Sequence, residues 1–256
     1  MGDEINRDIE AYRERISFLK VPIDIVKPDN LDRLTYNMLA QGTDQNIVLL
    51  SVWDLLRARR KSEYRDYVNK AALVIPISKS IIKGIQFLHG KQAVRYMPFN
   101  FVIKLLTILE KYEYSNYLLG GKKRILLKIE KNLRETFPGL RIVGRYPGGF
   151  RSQEEPDIIE AIRKASPSLL LVGKGVRGGE YWISKNSKRL GKGLRLWCSD
   201  LFDVFAERKR HPSQKIFELG LEWVGYTMQS PLKLFRLFPF MYYNLLLIVY
   251  KLFKKA

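Results

Sequence analysis

Length, composition and charge set the first limits on this chain. Its 256 residues are 46% hydrophobic and 28% charged, which is enough apolar material for one large α/β domain or two small lobes. The formal net charge of +19 indicates an anionic partner, either phosphate-rich ligands, nucleic acid or an anionic lipid surface. One cysteine excludes an internal disulfide, and one cysteine with two histidines excludes a structural zinc site. We therefore expect a reducing compartment and no metal.

The first residues lack the basic and apolar segments of a signal peptide, so we expect the bulk of the chain to face the cytoplasm. The amino-terminal third alternates predicted helices and strands. Sparse apolar positions over residues 8–18 favour a short leading helix, and Asn30 is a capping residue before a second helix. The predicted strands cover residues 21–26, 46–51 and 71–77, and the predicted helices cover residues 8–18, 30–41 and 52–70.

The same alternation continues through the middle of the chain. The predicted helices are 101–112, 122–136 and 154–165, and the predicted strands are 115–119, 140–144 and 168–173. Strands that alternate with helices at this spacing favour an α/β fold, namely a Rossmann-like, mostly parallel sheet with helices on both faces. We assign residues 1–229 to this domain, with a soft division into two lobes near 112–116.

Glycine and proline follow three of the predicted strands. The apolar runs that end near residues 119, 146 and 172 lead into Gly120 and Gly121, into Gly148 and Gly149, and into Gly173 and Gly175. Junctions of this kind let the phosphates of a ligand approach the backbone, because glycine has no Cβ. We therefore expect a phosphate-bearing ligand at these strand ends.

Residues 230–256 form a second segment of different character. The apolar part from Leu237 to Tyr250 is shorter than a membrane-spanning helix needs, and we expect Pro239 and Asn244 to interrupt it. Aromatic and basic residues together favour a helix that lies in the membrane interface, whereas a helix docked on the core or on a second copy is the alternative. The expected membrane contacts are Lys233, Arg236, Phe238, Phe240, Lys251, Lys254 and Lys255.

Several short motifs follow one another along the chain. They are Val21 to Asp24, Ala71 to Pro76, Leu119-Gly120-Gly121, Phe137 to Leu140, Gly144, Gly148 to Phe150, Pro167 to Gly175, Glu180 with Trp182, Leu201 to Asp203, Lys209 to Pro212, Leu221 to Trp223 and Pro231 to Arg236. Each is common by itself, but their order over more than half of the chain makes chance a poor explanation. In this order the chain resembles the WecG/TagA/CpsF family of bacterial glycosyltransferases.

The resemblance implies an inverting hexosyltransferase that uses a nucleotide-linked sugar, usually UDP-linked, as donor. The implied acceptor is a sugar on a polyprenyl diphosphate at the cytoplasmic face of the inner membrane, where the protein would be peripheral and other polysaccharide-assembly enzymes could be partners. We expect no cofactor, since no Asp-x-Asp triplet signals a metal clamp. Implied donor-binding residues are Gly120, Gly121, Gly144, Gly173, Gly175, Arg177 and Glu180, and the phosphate or acceptor candidates are Arg95 and Arg210.

The chain departs from the family pattern mainly in its first half. Ile77 stands where the family has the Asp expected to activate the acceptor hydroxyl, and Ser51 stands where it has Asn. Isoleucine cannot take a proton. The catalytic base is therefore unknown, with Glu180, Asp203 and His211 as candidates.

Two other functions are alternatives to an active transferase. One is a catalytically inactive paralogue that acts as a membrane-bound partner of another transferase. The other is a nucleic-acid-binding protein driven by the positive charge, but no recognition motif accompanies that charge, so we expect no nucleic-acid partner. Whether a base stands near the donor's anomeric carbon distinguishes the first alternative from the active enzyme.

Overall fold

A computed structural model describes residues 9–60, 62–210, 217–218 and 237–253. The strands are β1 (Arg13–Phe18), β2 (Val21–Val26), β3 (Asp44–Leu50), β4 (Leu73–Pro76), β5 (Ser115–Leu119), β6 (Arg141–Tyr146), β7 (Leu169–Gly173) and β8 (Gly193–Ser199). Strands β3 to β8 form one sheet in the order β4-β3-β8-β7-β5-β6, and every pairing in it is parallel. The predicted Rossmann-like parallel sheet is thus confirmed, and it joins strands from both sides of residues 112–116.

Helices connect these strands and cover both faces of the sheet. They are α1 (Leu31–Ala40), α2 (Val52–Ala58), α3 (Glu63–Asn69), α4 (Lys79–His89), α5 (Pro98–Lys111), α6 (Lys123–Thr136), α7 (Glu155–Ala165), α8 (Glu180–Leu190), α9 (Leu201–Phe205) and α10 (Leu237–Leu252). The single helix predicted over 52–70 is two helices, since the Ser62 side chain accepts a hydrogen bond from Arg65 N and starts α3 anew. Helices α4, α8 and α9 and strand β8 had no counterpart among the predicted elements.

The predicted helix over residues 8–18 is wrong beyond residue 12. Strands β1 and β2 form an antiparallel hairpin in which Arg15 lies opposite Asp24. The Asp24 side chain is fully buried, accepts two hydrogen bonds of 2.7 Å from Arg15, and accepts a third from Val74 N. A charge buried this deeply is stable only with such partners, so the ion pair fixes the hairpin against β4.

Alternate residues of the central strands enter two separate cores. Val48, Val74 and Val172 pack against one layer, which contains the hairpin and helices α2, α3, α4, α7, α8 and α10. Ile47 and Leu171 face the other layer, which contains α1, α5, α6 and α9. Because all six strands are parallel, their carboxyl ends, each followed by a loop to a helix, meet at one edge of the sheet.

The carboxyl-terminal helix α10 docks on the first layer. The Tyr243 hydroxyl donates a 2.7 Å hydrogen bond to Ser80 O, and a Cβ at Gly84 would lie only 2.3 Å from that hydroxyl. Lys251 donates to Phe87 O at 2.9 Å. Helix α10 runs through Asn244, and Pro239 lies in its first turn, where a missing N–H is tolerated, so the expected interruption is wrong.

The opposite face of α10 is apolar and exposed to solvent. It consists of Phe238, Met241, Tyr242, Leu245, Ile248, Val249, Leu252 and Phe253. Among the helices of the described ranges, none is long and apolar enough to cross a membrane. The docked alternative is therefore found for one face of this helix, and membrane contact through the exposed apolar face stays a prediction.

Candidate active site

The glycine-rich strand ends meet at the carboxyl edge of β5, β6 and β7. Gly120 N donates to Tyr146 O at 2.9 Å, and Gly121 N donates to Lys174 O at 2.5 Å. Gly148 N donates to Gly121 O at 2.8 Å, which ties the three loops together. These backbone N–H groups are already bonded to carbonyls, so they are not open to a ligand phosphate in this arrangement.

Close backbone packing explains why several of these positions are glycine. A Cβ at Gly120, whose φ is +118°, would lie 2.6 Å from the Gly173 carbonyl oxygen. A Cβ at Gly173 would lie 2.4 Å from the Phe202 ring, and one at Gly144 would lie 2.4 Å from the Tyr117 ring. The glycines thus let neighbouring strand ends and rings approach one another.

Helix α6 begins directly beside this edge with a basic first turn. Lys122 precedes it without a side-chain cap hydrogen bond, and Lys123 and Arg124 occupy the first turn with no acidic residue among them. The amino terminus of a helix carries a partial positive charge, so cations there cost stability unless an anion binds. This arrangement favours a phosphate group over the start of α6.

A network of charged side chains lies at the ends of β7 and β8. Asp200 pairs with Lys174 and accepts a 2.9 Å hydrogen bond from Lys209. Burial favours a raised pKa for Asp200, but the hydrogen bonds from the two lysines outweigh it and lower that pKa. Asp200 is therefore an anion that holds two cations near the glycine edge.

The ends of β3 and β4 carry side chains instead of glycines. Ser51 and Asp54 form a capping box at the start of α2. Ser78 Oγ accepts a 3.2 Å hydrogen bond from Val52 N. Ile77 is half-buried against the second core, and its carbonyl accepts a 2.7 Å hydrogen bond from Arg95 Nε. The hydrocarbon side chain of Ile77 cannot transfer a proton, as the sequence indicated.

Glu180 lies at the start of α8, the helix that follows β7. Strand β8 separates β7 from β3 in the sheet. Its carboxylate accepts a hydrogen bond from the Tyr64 hydroxyl and forms an ion pair with Arg57, both at 3.4 Å. The Arg57 guanidinium also stacks over the Tyr64 ring at 3.9 Å. These contacts orient the carboxylate between α2, α3 and α8.

The electrostatic surroundings place the ionisation of Glu180 near neutral pH. Burial is the largest cause, and the negative charge of Asp54 adds to it, whereas Arg57 and Tyr64 act in the opposite direction. Together they raise the pKa of Glu180 to about 7. Burial also raises the pKa of Asp54 itself. A carboxyl group with a pKa near the working pH is suited to proton transfer.

A cavity of about 320 Å³ opens beside Glu180. Its lining is polar and aromatic and comes from α2, α3, the turn between them and α8: Arg57, Arg60, Ser62, Glu63, Tyr64, Tyr67 and Tyr181. Tyr64 and Tyr67 are buried, whereas Tyr181 is 42% exposed at the opening. The Tyr67 hydroxyl is buried and has no hydrogen-bond partner within the described part of the chain.

The other predicted site residues lie apart from this cluster. Asp203 follows β8 and pairs with Arg208 at 3.4 Å. Arg177 and Arg210 are exposed, and Arg95 stacks on Phe217 at 3.7 Å. His211 lies outside the described residues, as do Lys233, Arg236, Lys254 and Lys255. Among the predicted membrane contacts, Phe238 and Phe240 are exposed.

Three residues of the Glu180 cluster were not among the candidates. Asp54, Arg57 and Tyr64 belong to the stretch 52–70, which was predicted as an ordinary helix. The Ser51-x-x-Asp54 capping signature directly after a buried strand could have placed a carboxylate at this edge. The pairing with Glu180 depends on the position of β8 between β3 and β7, which the sequence does not reveal.

A parallel α/β sheet with a basic helix start and an ionisable carboxyl at its carboxyl edge defines a Rossmann-like, ligand-binding class of protein. A profile of the glycosyl transferase WecG/TagA/CpsF family matches residues 16–256. The chain belongs to this family of glycosyltransferases, which act in the biosynthesis of cell-surface polysaccharides. The family resemblance read from the motifs is confirmed.

Proposed function

We propose that the protein transfers a sugar from a UDP-linked donor to an acceptor on a polyprenyl diphosphate. The transfer inverts the configuration of the anomeric carbon. The observation that carries this proposal is Glu180 at the start of α8, whose largely buried carboxylate has a pKa of about 7 and lies beside the cavity between α2, α3 and α8. The family match supplies the transferase class, and the chemistry of the edge supports the finer steps.

Side chains and the start of α6 bind the donor diphosphate in this proposal. The N–H groups of Gly120, Gly121 and Gly148 are bonded to carbonyls, so these glycines act by allowing close approach. Lys122, Lys123 and Arg124 surround the helix start, and Lys174 lies across the edge. Cations positioned there stabilise the negative charge that develops on the departing nucleotide diphosphate.

Glu180 accepts the proton of the acceptor hydroxyl in this mechanism. The hydroxyl oxygen forms the new bond to the anomeric carbon of the donor as the bond from that carbon to the diphosphate oxygen breaks. The nucleotide diphosphate leaves with the electron pair of that bond. Arg57 and Tyr64 hold the carboxylate in place, so they are positioning residues.

The exposed apolar face of α10 holds the protein on an anionic membrane surface in this proposal. Each buried methylene contributes roughly 0.8 kcal/mol to such binding. Liposome flotation tests it: the full chain should float with anionic vesicles, and a variant with Leu245→Glu and Ile248→Glu should not. Asn244→Gln changes a side chain that bonds within the helix and is the matched control. A full-length chain that binds neither neutral nor anionic vesicles would contradict membrane attachment.

An inactive paralogue is the second candidate, and Ile77 favours it. The Ile77 side chain packs on the core at the position where the resemblance implies a base. Transfer assays with a panel of UDP-sugars and short polyprenyl-diphosphate acceptors in detergent distinguish the two. Transfer by the wild-type chain supports the enzyme, whereas UDP binding without transfer by the wild type, together with transfer by Ile77→Asp, supports the paralogue.

A further inference from the structure

We infer that the cavity between α2, α3 and α8 binds a neutral sugar ring. The cavity has a built interior, because Tyr64 and Tyr67 are 5% and 2% exposed and form its inner wall. The identification of this sugar as the acceptor rests on the proposed function, whereas the claim that the cavity binds a sugar does not.

The balance of charge in the cavity favours a polyol over an anion. Arg57 and Arg60 contribute two positive charges, while Glu63 lines the cavity and Glu180 pairs with Arg57 behind its wall. The whole chain has 45 basic and 26 acidic residues, so a local balance departs from its general surplus. A site for phosphate or carboxylate would keep the cations unopposed.

The lining presents both donors and acceptors of hydrogen bonds, which sugar hydroxyls require. Guanidinium groups donate, the Glu63 carboxylate accepts, and the hydroxyls of Tyr67 and Tyr181 do both, whereas the Ser62 and Tyr64 hydroxyls already donate to Arg60 O and to Glu180. The Tyr67 hydroxyl is buried without a partner in the described residues, and such a group costs free energy until a ligand or water bonds to it. The exposed Tyr181 ring supplies a flat apolar surface at the opening for the C–H face of a sugar.

The position of Glu180 connects this cavity to the chemistry. Arg57 and Tyr64 each contact the Glu180 carboxylate and each line the cavity. A sugar hydroxyl bonded to either group therefore lies next to the carboxylate. In the proposed transferase, the cavity thus seats the acceptor sugar one side chain away from the base.

Binding of free monosaccharides to the full-length protein tests the inference without any need for activity. The probes are glucose, galactose, N-acetylglucosamine and the anionic glucuronate, each at millimolar concentration, followed by ligand-observed NMR. We expect saturable binding of at least one neutral sugar and weaker or no binding of glucuronate. Tyr67→Phe should weaken that binding about fivefold to tenfold, the loss of one hydrogen bond. Arg60→Ala should weaken it further.

Tyr36→Phe, on a surface tyrosine of α1, is the matched control and should bind like the wild type. Thermal melting checks that Tyr67→Phe remains folded. No saturable binding by any neutral sugar, stronger binding of glucuronate, or an unchanged affinity in both cavity variants would overturn the inference. Titration of UDP in parallel separates the two proposals. UDP binding without sugar binding refutes only the claim that the cavity binds a sugar, and sugar binding without UDP binding refutes only the claim that the donor is UDP-linked.

Discussion

The two halves of the carboxyl edge differ in what occupies their strand ends. At β5, β6 and β7, glycines bring backbone against backbone, as between Gly120 and Gly173. At β3 and β4, side chains occupy the same level and bond to one another, as Ser51 does to Asp54. One half packs closely beside a basic helix start, while the other supports helix α2 and the groups that it presents.

This difference decides which element supplies the ionisable group of the edge. Ile77 packs on the second core, so the end of β4 offers no proton acceptor. Ser51 and Asp54 instead start α2, which carries Arg57 to the Glu180 carboxylate. The ionisable group of the edge thus comes from α8, in the glycine-bearing half, and depends on the other half for its position.

The largest expected effect is on the reaction. Glu180→Gln keeps the shape of the side chain but removes its ability to take a proton. We expect the transfer rate to fall by roughly a hundredfold to ten-thousandfold, the usual contribution of a general base. UDP affinity, measured by calorimetry, should change little. Asp203→Asn is the control, and a fall of similar size in that variant would assign the base to Asp203.

The glycine half should be intolerant of side chains. Gly120→Ala combines a positive φ with a Cβ 2.6 Å from backbone, so we expect a loss of about 3 kcal/mol in the free energy of unfolding. Gly149 also has a positive φ, of 78°, but open space around it, so Gly149→Ala should lose only about 1 kcal/mol. Urea unfolding measures both variants. Equal losses of stability in Gly120→Ala and Gly149→Ala would show that close backbone packing around Gly120 does not limit which residues this half tolerates.

The pH dependence of stability gives a third test. Because folding raises the pKa of Glu180 from 4.5 to about 7, the full stability contribution exists below 4.5 and is lost as the pH rises through about 7. Glu180→Gln removes this loss. The variant should match the wild type at low pH and exceed its free energy of unfolding by about 2–3 kcal/mol at pH 8. A wild type that is the more stable at pH 8 would contradict a raised pKa.

The smallest expected effect is in the side-chain half. Ser78→Ala removes the acceptor for the buried Val52 N–H, which links the ends of β3 and β4. We expect a loss of about 1 kcal/mol in the free energy of unfolding, typical of one hydrogen bond. Ser80→Ala is the comparison, because Tyr243 bonds to the backbone carbonyl of Ser80 and not to its side chain. A loss as large as that of Gly120→Ala would remove the contrast between the halves.

The parallel sheet was predictable because its strands are short apolar runs between helical segments. Five of the six strands were located within a few residues, since buried parallel strands are apolar on both faces. The hairpin was missed because β1 holds charged residues whose partner, Asp24, lies on the next strand. Strand β8 was missed, and the buried Arg195 interrupts its apolar pattern.

The candidate site was predictable only in part. Glu180 was named from its motif, because its place before Trp182 matches the family pattern. Its partners Asp54, Arg57 and Tyr64 come from a stretch more than a hundred residues earlier in the chain. Their convergence depends on strand order, which local patterns do not encode. The predicted glycines do lie together at the strand ends, but the N–H groups of Gly120, Gly121 and Gly148 are bonded within the edge.

The pH dependence of transfer by the wild type and by Glu180→Gln tests the central claim most directly. If Glu180 is the base, kcat/KM for the wild type should rise with pH and level off above an apparent pKa near 7. The variant should retain a small rate without that rise. A variant with the full wild-type rate and the same pH profile would show that another group takes the proton.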